Sequence, residues 1–283
     1  MGTESNTLLV TWDFSPVSEY ALEYATVIAK KLFKVIQLIH VIKPNLPQPE
    51  KERIRQELST ITEKATQKSG IQTTFVTKEG SIFSTISNYA TDTKPFLVFM
   101  GTHGIKGYQK IFGSWALKVI IGSEVPFFVV QRKPKPDEEF AHIVYPIDFK
   151  NENKEMLYGA IGFGKFFNST IHLFLDTPND RSLVQKVNVN KNFAIRFLNQ
   201  YNLQYELHNS KHGGSFSKKT IEFAHEINAD VLLTLTTKYI TFADYMLGAP
   251  EQKTLVNPYQ IPVITFNPKA SFASVGQFMF GRT

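Results

Sequence analysis

Short runs of apolar and β-branched residues alternate along the chain with longer segments whose apolar residues recur every three to four positions. This is the pattern of βαβ units around a mostly parallel sheet. In the first half the runs predict strands at Leu8 to Trp12, Val35 to Val41, Thr73 to Val76, Phe96 to Met100 and Phe127 to Val130. In the second half they predict Ile143 to Ile147, Thr170 to Leu175, Tyr205 to His208, Val231 to Leu235 and Val263 to Phe266. The clearest helix follows the first strand. Ser15 suits its N-cap, Pro16 its first turn, and Ala21, Tyr24, Ala25, Ile28 and Leu32 share one face.

Slid against itself, the chain repeats. LLVTWDFS, from Leu8 to Ser15, lies over IVYPIDFK, from Ile143 to Lys150, so that Asp13 falls on Asp148, an offset of 135. The same offset places Pro95 to Val98 on Asp230 to Leu233 and Gly113 on Gly248, and at 136 Val125-Pro126-Phe127 meets Ile261-Pro262-Val263. The expected fold is α/β: two tandem doubly wound domains, each a five-stranded mostly parallel sheet with helices on both faces. The first spans 1–133, a linker rich in proline and charge spans 134–141, and the second spans 142–268. Residues 269–283, with Phe272, Phe278, Met279 and Phe280 nearby or within, have no counterpart in the first copy and read as a C-terminal tail.

Composition narrows the chemistry. With 283 residues, 42% of them apolar and 20% charged, each copy can bury a core. The absence of cysteine removes thiol catalysis, thiolate zinc sites and disulfides, and suits a cytoplasmic protein. The N-terminal residues carry no targeting pattern, and no apolar stretch approaches about 18 residues, so no membrane partner is expected. The net charge of +6 raises nucleic acid as a partner, but basic residues are scattered among acidic neighbours, as in Glu50-Lys51-Glu52-Arg53, which argues against it.

In open α/β sheets ligands collect beyond the carboxyl ends of strands at the switch in winding direction. There the fourth strand runs into Gly101-Thr102-His103-Gly104, followed by Lys106, Lys110 and Gly113-Ser114 before a helix. Glycines let amides approach an anion, and a helix N-terminus adds partial positive charge. The segment reads as a phosphate cradle or, equally, as a glycine-rich turn with Ser114 as the helix cap.

Gly101-x2-Gly104 and Gly113-Ser114, with Asp13 ending the first strand, resemble the universal stress proteins, in particular their tandem two-domain members. The nucleotide-binding subgroup carries Gly-x2-Gly-x9-Gly-Ser/Thr at this place; here eight residues separate Gly104 from Gly113. The resemblance covers both copies, from about Thr7 to Asn267. It implies an adenine nucleotide alpha hydrolase-like fold and ATP or another adenine nucleotide as cofactor in the first domain, with Mg²⁺ carried by the phosphates. Asp13 and Val41 would line the adenine and ribose side; Gly101, His103, Gly104, Gly113, Ser114 and the Trp115 amide would hold ribose and phosphates. It implies a sensor or regulator in stress response, with at most slow ATP hydrolysis. It also implies that the last strands of the two copies meet edge to edge as an intramolecular pseudo-dimer, with a homodimer of chains as a further option. Read from the residues alone, Asp13 would instead cap the Phe14-Ser15 turn, a role that Asp148 repeats. An interaction module that has lost nucleotide binding is the alternative, and a hydrolase or phosphotransferase using Asp13 or His103 is a third reading.

The second copy keeps the strands and loses the glycines: Thr236 stands for Gly101, Tyr239 for Gly104 and Ala249 for Ser114, so no second site of this type is expected. Gly213 to Thr220 approaches a P-loop, but Lys218 occupies a required glycine position, and Gly80-Ser81 marks the same turn in the first copy. No other catalytic motif and no metal cluster is evident; the seven histidines are dispersed, and His40 and His172 read as core histidines within strands.

Overall fold

The computed structural model describes residues 6–102, 112–150, 153–236 and 250–267; side chains at 112–115, 153–155 and 250–252 fall outside that description. In the first half β1 (Thr7–Thr11), α1 (Pro16–Leu32), β2 (Val35–Ile42), α2 (Gln48–Ser69) and β3 (Thr73–Glu79) are followed by α3 (Ile82–Thr93), β4 (Leu97–Gly101), α4 (Phe112–Ile121) and β5 (Phe127–Val130). In the second half β6 (His142–Ile147), α5 (Asn153–Phe167), β7 (Thr170–Leu175), α6 (Arg181–Gln200) and β8 (Tyr205–Asn209) precede α7 (Phe216–Glu226), β9 (Val231–Leu235), α8 (Pro250–Leu255) and β10 (Val263–Phe266).

The ten strands form one sheet in the order β3-β2-β1-β4-β5-β10-β9-β6-β7-β8. Within each half all pairings are parallel, and the halves join where β5 meets β10 antiparallel, Phe128 opposite Ile264. Strands covered on both faces need continuous apolar runs, because side chains alternate between the faces. In β1, Leu8 and Val10 enter the core layer that includes α1, α2, α5 and α6, whereas Leu9 enters the layer with α3, α4, α7 and α8. Both layers pass across the β5–β10 seam. Among the described residues no helix is long and apolar enough to cross a membrane.

The strands lie where the apolar runs predict them, with β3 as the main extension. It continues past Val76 through polar Thr77, Lys78 and Glu79 because His40, Val41 and Ile42 of β2 supply the ladder and its other side is a sheet edge. Ser15 caps α1 as expected, accepting from the Ser18 amide. Ser114 does not cap α4: the helix already begins at Phe112, so Ser114 lies within it.

The segment with linker composition is a packed strap. Glu138 is buried, and its Oε2 accepts from the Tyr24 hydroxyl (3.3 Å), the Lys135 amide (2.8 Å) and Arg132 (3.3 Å). Burial pushes the Tyr24 hydroxyl well above its ordinary pKa. Lys135 Nζ reaches Asp230 Oδ1 (2.9 Å), whose other oxygen accepts from the His142 amide (3.0 Å).

The seam is also pinned by a reciprocal pair. Gln131, just past β5, donates to the Asn257 carbonyl beyond α8 (3.3 Å), and Asn267, just past β10, donates to the Ile121 (2.9 Å) and Ser123 (2.8 Å) carbonyls beyond α4. Asn267 is buried, so Asn267→Ala strands those carbonyls and is expected to cost about 1–3 kcal/mol, read from urea denaturation midpoints.

Candidate functional site

At the switch point of the first half, between β1 and β4, a cleft of about 150 Å³ opens beyond the strands' carboxyl ends. Trp12 and Asp13 follow β1, His40 and Val41 end β2, and Met100, Gly101 and Thr102 end β4; Ile82 and Ile86 of α3 and Ala116 and Val119 of α4 close one side. One wall is thus apolar, formed by Val41, Ile82, Ile86, Met100, Ala116 and Val119, and the rim is polar. Asp13, Val41 and Gly101 share this cleft as the sequence predicts. The backbone at Gly113, Ser114 and Trp115 lies in α4 beside Ala116, while their side chains, and His103 and Gly104 entirely, fall outside the described residues.

Asp13 is exposed on the loop after β1, so its carboxylate remains hydrated. Its Oδ1 accepts from the Ser15 amide (3.0 Å) and the Ser15 hydroxyl, the turn-capping role read from the sequence. The same contact recurs in the second half, where Asp148 Oδ1 accepts from the Lys150 amide (2.8 Å).

Gly101 has a packing role that its place in a glycine signature conceals. A Cβ there would lie 2.1 Å from the Val17 carbonyl oxygen and 2.3 Å from its carbon, so glycine lets the first turn of α1 press against the end of β4.

His40 is a cleft residue that a core-histidine reading misses. It is half-buried, and its Nδ1 donates to the Trp12 carbonyl (2.8 Å). Its position one residue before the end-of-strand Val41 was the available signal. Two buried polar atoms of the lining, Trp12 Nε1 and Thr102 Oγ1, have no hydrogen-bond partner among the described residues.

The second half has a cleft of about 300 Å³ at the corresponding place, lined by Asp148, Lys150, Asp176, Ser215, Ser217 and Thr236 among others. Asp176 holds the position of Val41, so a carboxylate replaces an apolar wall. Thr236 stands for Gly101; Tyr239, Gly248 and Ala249 lie outside the described residues. The P-loop look-alike is the strand-to-helix turn expected from the repeat. Gly213 and Gly214 take φ of 76° and 73°, α7 starts at Phe216, and Lys219 Nζ binds the Lys211 carbonyl (2.7 Å).

Residues 4–131 match the model of the universal stress protein family. Among solved structures, a universal stress protein from Archaeoglobus fulgidus superposes with a TM-score of 0.75 at 17% identity, covering 94% of this chain and 100% of that one. A functionally unknown protein from Pseudomonas aeruginosa superposes with a TM-score of 0.62 at 15% identity, covering 97% and 96%. A universal stress protein solved in complex with cAMP covers 46% of this chain and 98% of its own, with a TM-score of 0.39 and 14% identity, too remote to inform this cleft. No curated protein matches the sequence. Residues 4–131 thus form a domain of the universal stress protein family, and both halves of the chain carry the doubly wound fold.

Proposed function

We propose that this protein binds ATP or a related adenine nucleotide in the first-half cleft and acts in the cytoplasm as a sensor or regulator in stress response. The observation that carries the reading is the cleft's composition. An apolar wall at Val41, Ile86 and Met100 suits a purine ring, and Asp13, exposed at the mouth, suits a sugar hydroxyl. Asp13 Oδ1 is engaged by Ser15, and its second oxygen would receive a sugar hydroxyl. The glycines from Gly101 to Gly113 would cradle the phosphates, with Mg²⁺ held mainly by the nucleotide itself. The domains would be 1–133 and 142–268, paired through β5 and β10 as a pseudo-dimer. With those two edges consumed within the chain, a homodimer would have to use another surface.

Calorimetry with ATP tests the site. Val41→Asp copies the second half's Asp176 into the purine wall and is expected to weaken binding at least about tenfold, the burial of an unpaired carboxylate being worth more than 1.4 kcal/mol. Gly104→Tyr copies Tyr239 and is expected to do likewise. Absence of binding at about 1 mM ATP, or binding indifferent to both changes, would sink the assignment. The second reading, an interaction module without nucleotide, is favoured by the eight-residue spacing between Gly104 and Gly113. Absorbance of the purified protein for co-bound nucleotide separates the two.

A further inference from the structure

Three of the histidines that are dispersed in the sequence converge across the outer strands of the second half. His142 begins β6, His172 lies in β7, and Glu206 and His208 lie on one face of β8; the register pairs His172 with Glu206 and Phe174 with His208. His172 Nδ1 is 3.1 Å from His208 Nε2 and 3.4 Å from Glu206 Oε2, and His208 Nε2 is 3.3 Å from the same oxygen. We propose that His172 Nδ1, His208 Nε2 and Glu206 Oε2 are three ligands of a divalent zinc-type metal site, with a fourth position open to solvent.

The triangle has the right size. Zinc bonds of about 2.0–2.1 Å to nitrogen and oxygen in a tetrahedron place neighbouring ligand atoms roughly 3.3 Å apart. Two imidazoles and a carboxylate form a donor set that suits zinc and its late first-row neighbours, and three protein ligands leave a place for water. The outer nitrogen of His172, Nε2, lies 3.0 Å from His142 Nδ1; when Nε2 carries the proton and donates it to His142, the Nδ1 lone pair is directed at the triangle. Phe223 of α7 walls the cluster, its ring 4.7 Å from that of His208 and stacked at 4.5 Å on Phe174. Glu206 remains exposed, which leaves the metal a path in.

The first half serves as an internal comparison. At the matching register stand Gln37, Thr74 and Val76, and Gln37 accepts from the Tyr89 hydroxyl (2.7 Å), closing the space with a neutral bond. Phe223 takes the place of Tyr89 and brings no hydroxyl.

The full chain, stripped with EDTA, is titrated with zinc chloride against a chromophoric chelator, and separately with cobalt chloride. The expected result is one zinc per chain, the intense visible absorption of four-coordinate cobalt, and affinity lowered by about tenfold or more in His208→Asn and Glu206→Gln. Both substituted residues are partly or fully exposed, and circular dichroism checks that the variants stay folded. Should a variant unfold, the cobalt spectrum of the unaltered chain decides alone. Absence of zinc binding, a six-coordinate cobalt spectrum, or binding equal in folded variants would overturn the site.

Discussion

Phe140→Ala is expected to destabilise the protein by about 3–5 kcal/mol, the range for emptying a fully buried aromatic site. The ring has no exposed surface and stands where the strap enters the second half. It meets Tyr24 and Phe128 of the first half at centroid distances of 6.3 and 6.0 Å, and Phe163 and Phe167 of α5 at 5.6 and 5.0 Å. The void would therefore open in a contact that both halves share, with neither able to collapse into it alone. Urea unfolding followed by near-ultraviolet and far-ultraviolet dichroism measures the loss. A drop below about 1 kcal/mol would show that the halves do not lean on this ring. Phe140→Leu keeps most of the volume and is expected to cost less.

The second large effect is expected at Gly101→Ala, at about 3 kcal/mol or more, the upper end for overpacking. The obstacle to a methyl group is the main chain of Val17, and a helix's first turn cannot yield by changing rotamer. To relieve the overlap, α1 must withdraw from β4, carrying with it Ser18 of the cleft lining and tugging on Asp13 through Ser15. Loss of stability should therefore be accompanied by weakened ATP binding. Thermal unfolding of the variant, with and without nucleotide, reads both. An unchanged melting temperature would refute the close approach.

The strands and their tandem arrangement were legible because burial on both faces leaves no polar gaps in a parallel strand: Leu8-Leu9-Val10 and Val231-Leu232-Leu233 declare themselves. The polar end of β3 was not legible, since an edge position takes its stability from ladder bonds and asks nothing of the side chains. The start of α4 misled because a Ser after a Gly imitates a cap, and local chemistry does not reveal that the helix is already under way at Phe112. Of the cleft, Asp13 and Gly101 could be placed from the strand ends, and Val41 from the family resemblance. His40 was hidden because inward and outward positions of a doubly covered strand look alike in sequence. The His172, Glu206 and His208 triangle depends on the register between β7 and β8, over thirty residues apart in the chain, and no local pattern encodes that.

The reversal at β5 and β10 carries a consequence for signalling. Strands of the first half run one way and those of the second half the other, so the two carboxyl-end clefts look out from opposite rims of the molecule. A partner docked over one rim does not stand over the other. What the two clefts have in common is the sheet itself, from the β1 and β4 ends across the seam to β9 and β6, and no single visitor covers both at once.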